Sequence, residues 1–501
     1  MMRSADLVVL IVYVAGVVAL GCGLGRRSST PAGFMTAGGR LAGWAVGLSM
    51  FGTFLSSNTF LGVPGKAFAS NWNSYVFSLS LPLAAIVATR WFVPFYRTGG
   101  HISAYAHLEA RFGRWARTYA VVCYLLTQLA RVGSILFGVA LALTALTGWP
   151  MAAIIVATGA LVTIYTLVGG IEAVIWTDVV QSIVLTLGAV WVIVALVAGT
   201  PGGLGEIASV SGAADKFSLG SFAPEFETST FWVVMLYGLF INLNNFGIDQ
   251  SFVQRYHVAR SLTQARRSVW LAAILYVPIS LAFFFVGAAL YAFYETQPEL
   301  QAALAEAVGA SASELETLGD HVFPHFIVHQ LPAGVAGLII AAIFAAAMSS
   351  VDTSLNSSAT VLLSDIYRTY FRSDLDDRST MRVLHASTLG IGALGTLTAL
   401  AMIGVESILD AWWTLSGVFA GGLLGLFLLG MIARRADRPA AITGVVLGVS
   451  VILWMTFPSV MPSALQSPFH SNMITVIGTL TIFMAGLAAS GLRTRGRDLR
   501  S

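Results

Sequence analysis

Residues 341 to 368, AAIFAAAMSSVDTSLNSSATVLLSDIYR, set hydroxyls and a carboxylate inside a segment otherwise built for hydrocarbon. Spacings of three, four and seven bring Ser349, Asp352, Thr353 and Asn356 onto one helical face. Ala345, Ala346 and Ala347 keep the preceding turn slim, so a neighbouring backbone can approach. Clustered oxygen ligands without Cys or His suit a hard cation such as sodium. Any single hydroxyl could instead bond back to the carbonyl one turn earlier, which is common in membrane helices. Asp352 argues for more, because an ionisable group at membrane depth costs about 2.5–3.5 kcal/mol on the insertion scale and is usually kept for function. The stretch reads as a small-cation site in a membrane.

Other residues with chemical potential are sparse. Arg131 sits mid-span in TQLARVGSILF, too far from either end to snorkel, and needs a partner; Asp249 and Asp352 are internal candidates. His101, His107, His385 and His470 show no paired metal-ligand spacing, which points to surface or packing roles. There is no phosphate loop, no HExxH and no serine-nucleophile elbow, so no enzymatic chemistry is expected.

The elements that must hold these residues are membrane helices. The chain of 501 residues is 56% hydrophobic and 10% charged, with a mean hydropathy of +0.80, too apolar for a soluble domain. The net charge of +3 resides in short loops between apolar runs, which argues topology and not nucleic-acid binding. Cys22 and Cys123 both lie in apolar runs and offer neither metal spacing nor a disulfide framework. The first apolar run, residues 6–25, is long enough to span a bilayer and is followed by Arg26 and Arg27, so it reads as a helix and not a cleaved leader.

About thirteen spans can be marked, the later ones including 150–168, 175–199, 333–368 and 409–432. Arginines fall in alternate loops, from Arg26, Arg97 and Arg117 through Arg255 and Arg260 to Arg434 and Arg500. Those loops are expected to be cytoplasmic, with the N-terminus outside and the C-terminus inside. The long loop at 295–332 carries Glu295, Glu299, Glu306, Glu314, Glu316 and Asp320 at helix-compatible spacing and is expected to fold as an external cap. It could act as a lid or only pack.

Two spans are interrupted. Residues 47–68 carry Gly47, Gly52, Gly62, Pro64 and Gly65 around Ser56, Ser57, Asn58 and Thr59, and residues 240–256 read FINLNNFGIDQSFVQRY. Each begins a block of five spans, 42–199 and 230–432, and an odd number turns the second block over. The expected fold is therefore an all-α polytopic membrane protein with a five-plus-five inverted repeat and broken first and sixth core helices. Residues 1–41 form a leading helix and loop, 200–229 an external loop, and 433–501 two accessory helices with a basic tail. In such folds broken helices expose carbonyls and half-helix termini near the midplane, where solute and coupling ion bind.

The sequence resembles the sodium:solute symporter family along nearly its whole length. The resemblance rests on GGRLAGW at 38–44, SAYAHLEARFG at 103–113, YTLVGGIEAVIWTDVVQ at 165–181, VQRY at 253–256, and the 341–368 stretch with its terminal SDIY. Within the family it looks most like the bacterial sialic acid branch, which shares LSS-x-TF in the first broken helix. The resemblance implies a sodium site on Gly52, Leu55, Ala346, Ser349 and Ser350. It also implies a second site in some members around the aspartate of WTD, here Asp178, with Asp352 and Thr353 standing where the sialic acid branch has two serines. That departure could tighten sodium binding, favour a proton, or hold Asp352 neutral. Asp178 could alternatively cap a helix or pair with an interfacial arginine.

On the solute side the resemblance implies that Arg131 clamps a carboxylate, a task its planar bidentate guanidinium suits. Ser56 and Thr59 fit the sialic acid pattern, whereas Phe54, Ser74 and Ser78 replace a hydroxyl residue, an aromatic and a glutamine. Phe246, with Asn244, Asn245, Asp249 and Gln250, could face the same cavity or glue helices together. The expected activity is sodium-coupled import of a small organic solute bearing a carboxylate, such as sialic acid, a sugar acid or a monocarboxylate, by one chain in the cell membrane. The rivals are a neutral sugar or amino-acid symporter with a structural Arg131, a proton-coupled variant, and a sensor using the same fold.

Overall fold

The computed structural model describes residues 3–498 apart from 57, 101, 310–318, 405–415, 418 and 458–461. The described chain is helical, with one isolated β-bridge between Leu41 and Ala259. Helix α1 (Ser4–Gly23) is followed by the first broken helix, α2 (Gly43–Phe54) and α3 (Val63–Ala69), then α4 (Trp72–Gly99), α5 (Arg114–Thr147) and α6 (Met151–Gly199). The second broken helix, α7 (Phe231–Ile248) and α8 (Gln250–Val258), leads into α9 (Leu262–Glu295), and α10 (Pro298–Val308) and α11 (Gly319–Gln330) form the cap. Helices α12 (Val335–Val361), α13 (Asp377–Ala401), α14 (Leu423–Ile432), α15 (Arg438–Thr456) and α16 (Met473–Asp498) complete the chain.

Among the described residues ten helices are long and apolar enough to cross a membrane, or eleven when the bent pair α2 and α3 counts as one span. That measure does not reach the thirteen expected spans, for geometric reasons. The spans near 150–168 and 175–199 run together as α6, folded at Gly170 with φ +58° and ψ −168°. A Cβ there would sit 3.0 Å from Ser28 and from Phe34, so both the dihedral and the space call for glycine. The span near 409–432 begins outside the described residues, and its closing part is α14.

Each expected break is a real one with a local cause. Helix α2 stops at Leu55, whose φ of −94° and ψ of 104° are extended, and the path turns by 58° before resuming at Thr59–Ala69. The other break is at Asp249, extended at φ −73° and ψ 119°, whose Oδ1 accepts from the Ser251 N–H at 2.7 Å and caps α8.

Helix α12 runs through the middle of the bundle, packed on α1, α2, α5, α6 and α8. Its apolar window is 89% buried against 22% for α1, which explains why hydroxyls and a carboxylate are tolerated there: almost none of them meets lipid. The SDIY motif at its C-terminal end is pinned by side chains from elsewhere in the chain. The Asp365 carboxylate accepts from Ser103 Oγ and Arg117 Nε, each at 2.5 Å.

Helix α11 packs on α3, the second half of the first broken helix. Gly319 meets the carbonyl of Gly65 so closely that a Cβ would come within 2.2 Å of it, and Phe323 stacks on Phe60 at 5.7 Å. Glu314 and Glu316 fall outside the described residues. On α11, burial and the neighbouring His329 push His325 down to about 4, so its imidazole is neutral at ordinary pH.

Candidate functional site

The break in α2 delivers backbone oxygen to α12. Ser349 Oγ donates to the Gly52 carbonyl at 3.2 Å and lies 3.1 Å from the Ala346 carbonyl of its own helix. Leu55, fully buried, stands in the extended break itself. Ser350 is fully buried, and its Oγ has no hydrogen-bond partner. A buried hydroxyl without a partner carries a desolvation penalty of about 1–3 kcal/mol, which a coordinated cation would offset. Gly52, Ala346 and Ser349 are thus together, Leu55 is at the break, and the oxygen-only chemistry of the set fits sodium.

One turn along α12 the surroundings change from neutral to charged. Arg255 Nη2 donates to Asp178 Oδ2 at 3.0 Å and to Thr353 Oγ1 at 2.7 Å, while its Nε donates to Ser49 Oγ at 2.9 Å. Ser49 Oγ in turn donates to Asp178 Oδ2 at 2.5 Å. Arg255 and Asp178 are both fully buried, so Arg255 is not the loop arginine that the alternating-charge reading made it. Its charge belongs to a buried pair joining α8, α6 and α12. Asp352 Oδ2 accepts from the Tyr165 hydroxyl at 2.8 Å, and the Oδ1 atoms of both Asp178 and Asp352 are buried without partners.

A cavity of about 100 Å³ opens beside the first break, room for several waters. Phe54, Ser56, Thr59, Ser74, Ser78 and Arg131 line it. Phe246 stands behind the wall, its ring 5.8 Å from that of Phe54, and Gln250 turns away to bond the backbone of Ile102 and Ala104. Asn244, Asn245 and Asp249 do line the cavity. Arg131 Nη2 donates to the Thr53 carbonyl at 2.7 Å, which ties the guanidinium to the last turn before the break. Asp249 Oδ2 accepts from Gln128 at 3.2 Å.

Sequence reasoning missed Tyr276 and Ser280, which face Phe54 and Ser78 across the cavity: the Tyr276 ring lies 5.4 Å from Phe54, and the Ser78 and Ser280 hydroxyls are 2.6 Å apart. Single aromatics and serines inside an apolar run carry no signal of their own. Ser74 also borders a second, wider cavity of about 560 Å³ that Lys66, Asn73 and His470 help to line.

Two interrupted helices whose breaks meet mid-bundle, beside a central helix rich in oxygen, define the class of helical secondary transporters with inverted repeats. The profile of the sodium:solute symporter family matches residues 34–448, and the chain belongs to that family. Among its relatives are the sodium/sialic acid symporter NanT of Aliivibrio fischeri, 34% identical over 95% of this chain and 93% of that protein. The sodium/sialic acid symporter SiaT of Proteus mirabilis is 34% identical over 94% of each. A solved sodium-coupled sialic acid symporter in a substrate-bound outward-open state superposes with a TM-score of 0.88 at 32% identity, over 98% of both chains. A nucleobase-cation-symport-1 transporter, at 17% identity and a TM-score of 0.58, shares the fold. The chain is a multi-pass membrane protein of a sodium-coupled transport family, with sodium and a small solute as its cargo.

Proposed function

We propose that this protein imports a carboxylate-bearing solute, with Arg131 as the clamp for the carboxylate and Ser56, Thr59, Ser74 and Ser78 reading its hydroxyls. The observation that carries this reading is the place of Arg131: its guanidinium lines the cavity and is held on the Thr53 carbonyl, next to the Gly52 carbonyl that Ser349 contacts. Sodium bound by Gly52, Leu55, Ala346, Ser349 and Ser350 then braces the break from which the clamp is hung. Ion and solute stabilise the same arrangement, so each raises the other's affinity by an equal factor. Sialic acid transport by the relatives supports a sugar acid as solute, while Phe54 and the small Ser74 and Ser78 argue for a cavity of different outline.

The protein acts as a transporter without catalysing a covalent step, as one chain in the bilayer, N-terminus outside and C-terminus in the cytoplasm, following its arginine-bearing loops. A second sodium position at Asp178, Asp352 and Thr353 is favoured by the two unpartnered Oδ1 atoms and opposed by the bond from Arg255 to Thr353. Uptake into proteoliposomes, with panels of sugar acids, monocarboxylates and matched neutral solutes, tests the proposal. A sodium gradient should drive accumulation of a carboxylate, and Arg131→Gln should reduce it by about 2–5 kcal/mol in binding, since it strands a charge. Equal uptake of the neutral analogue by both proteins would overturn the clamp.

A further inference from the structure

We propose that the crevice between the start of α2 and the start of α9 holds the headgroup of an anionic phospholipid, with Arg267 on its phosphate. The crevice shares no residue with the cavity of Arg131 or with the sodium set, and it stands independently of the solute.

The crevice has a volume of about 370 Å³ and is lined by Ala42, Gly43, Trp44, Gln264, Arg267 and Leu271. Its polar side chains are left with donors to offer. The Gly43 N–H donates to Gln264 Oε1 at 2.8 Å. A backbone N–H only donates, so the facing atom is the amide oxygen and the Gln264 NH2 remains a donor. Arg267 is exposed, and its guanidinium has no hydrogen bond or ion pair among the described residues. Trp44 adds an indole N–H, and among the described lining residues there is no carboxylate. A cation with neighbouring donors and no acid suits a phosphate oxygen.

The apolar surface that continues from this charge separates a lipid from a free anion. Arg267, Leu271, Ile274, Pro278 and Leu281 alternate spacings of four and three along α9 and so share one face. Ile274 and Leu281 are exposed on a helix long and apolar enough to cross the membrane, so this face meets acyl chains. Trp44 is exposed as well, its ring 5.7 Å from that of Trp176, and indoles gather at the depth of the headgroups. Donors at the end of a span with an apolar stripe running from them reproduce the order of phosphate and tails in a phospholipid, and basic pockets between spans recognise such headgroups. Just beyond the crevice the two helices touch: a Cβ on Gly47 would come 2.8 Å from the Leu271 side chain. A headgroup lodged there contacts both helices and fastens the start of α2, the half-helix that ends by offering the Gly52 carbonyl to Ser349.

The test takes the purified full chain, stripped of lipid in neutral detergent, and adds dioleoyl phosphatidylglycerol or dioleoyl phosphatidylcholine. Melting temperature and mass spectrometry of the intact protein are the readouts. Wild type should retain one phosphatidylglycerol under conditions that remove phosphatidylcholine, and should melt higher with the anionic lipid. Arg267→Gln, at an exposed position, should melt as wild type without lipid and bind phosphatidylglycerol about fivefold more weakly, the worth of one arginine at a membrane surface. Arg266→Gln, exposed beside it but outside the crevice, should stay within about twofold of wild type, because water and salt screen its charge. Glycerol 3-phosphate, which has the phosphate without the tails, should neither raise the melting temperature nor displace the lipid. Equal effects of the two lipids, unchanged affinity in Arg267→Gln, an equal loss in Arg266→Gln, or stabilisation by glycerol 3-phosphate alone would each overturn the assignment.

Discussion

Two patches of α12, a single turn apart, are both rich in oxygen and both buried, yet they keep different company. At Ser349 and Ser350 the neighbour is interrupted backbone, no formal charge is present, and the Ser350 hydroxyl has no partner. At Asp352 and Thr353 the neighbours are Asp178 and Arg255, and a guanidinium already stands where a cation could go. The first patch leaves a buried hydroxyl unpaired. The second carries its own cation and holds α6, α8 and α12 together whether or not sodium is bound. A buried charge pair has little net worth but is expensive to break, whereas unpaired neutral oxygens are cheap to hold and gain when a cation arrives.

The harshest way to probe that contrast is Arg255→Ala. It leaves Asp178 buried and uncompensated and should lower stability by about 3–5 kcal/mol, read by denaturant or thermal unfolding in detergent. An unchanged melting temperature would remove the idea that Arg255 ties the bundle. A milder probe is Ser350→Ala. Because the hydroxyl lacks a partner, stability without sodium should hardly move, while sodium affinity, read from sodium-dependent melting, should fall about tenfold, or roughly 1.4 kcal/mol. If the variant instead melts early with or without sodium, Ser350 is structural. The gentlest is Asp352→Asn, which keeps an acceptor for Tyr165 and removes one of two carboxylates facing one guanidinium. It should leave stability within about 1 kcal/mol and the sodium dependence of uptake as steep as in wild type. A flatter dependence would place a second sodium at this patch and break the contrast.

Much of the fold was legible in the residues themselves. Gly52 with Ser56 to Thr59, and the FGIDQ run, announced breaks that the backbone makes at Leu55 and Asp249. Ser349, Asp352 and Thr353 read as one helical face, and the helix is the most buried of the described spans. The reading faltered where a residue's meaning depends on depth. Arg255 fell into an alternation of loop arginines that fits its neighbours, because loop and interior arginines look alike in a string. Phe246 looked like a cavity residue and packs behind one.

Periodicity and hydropathy, both local properties, were enough to establish a polytopic helical bundle, its two interrupted spans and the oxygen-bearing stripe of α12. Which oxygens were satisfied was a matter for tertiary structure. Ser349 on Gly52, Arg255 between Asp178 and Thr353, and Tyr276 opposite Phe54 are contacts across more than 75 positions of chain. A hydrogen bond or ion pair is decided by a few tenths of an ångström between atoms, and only the packing of one helix on another sets that distance.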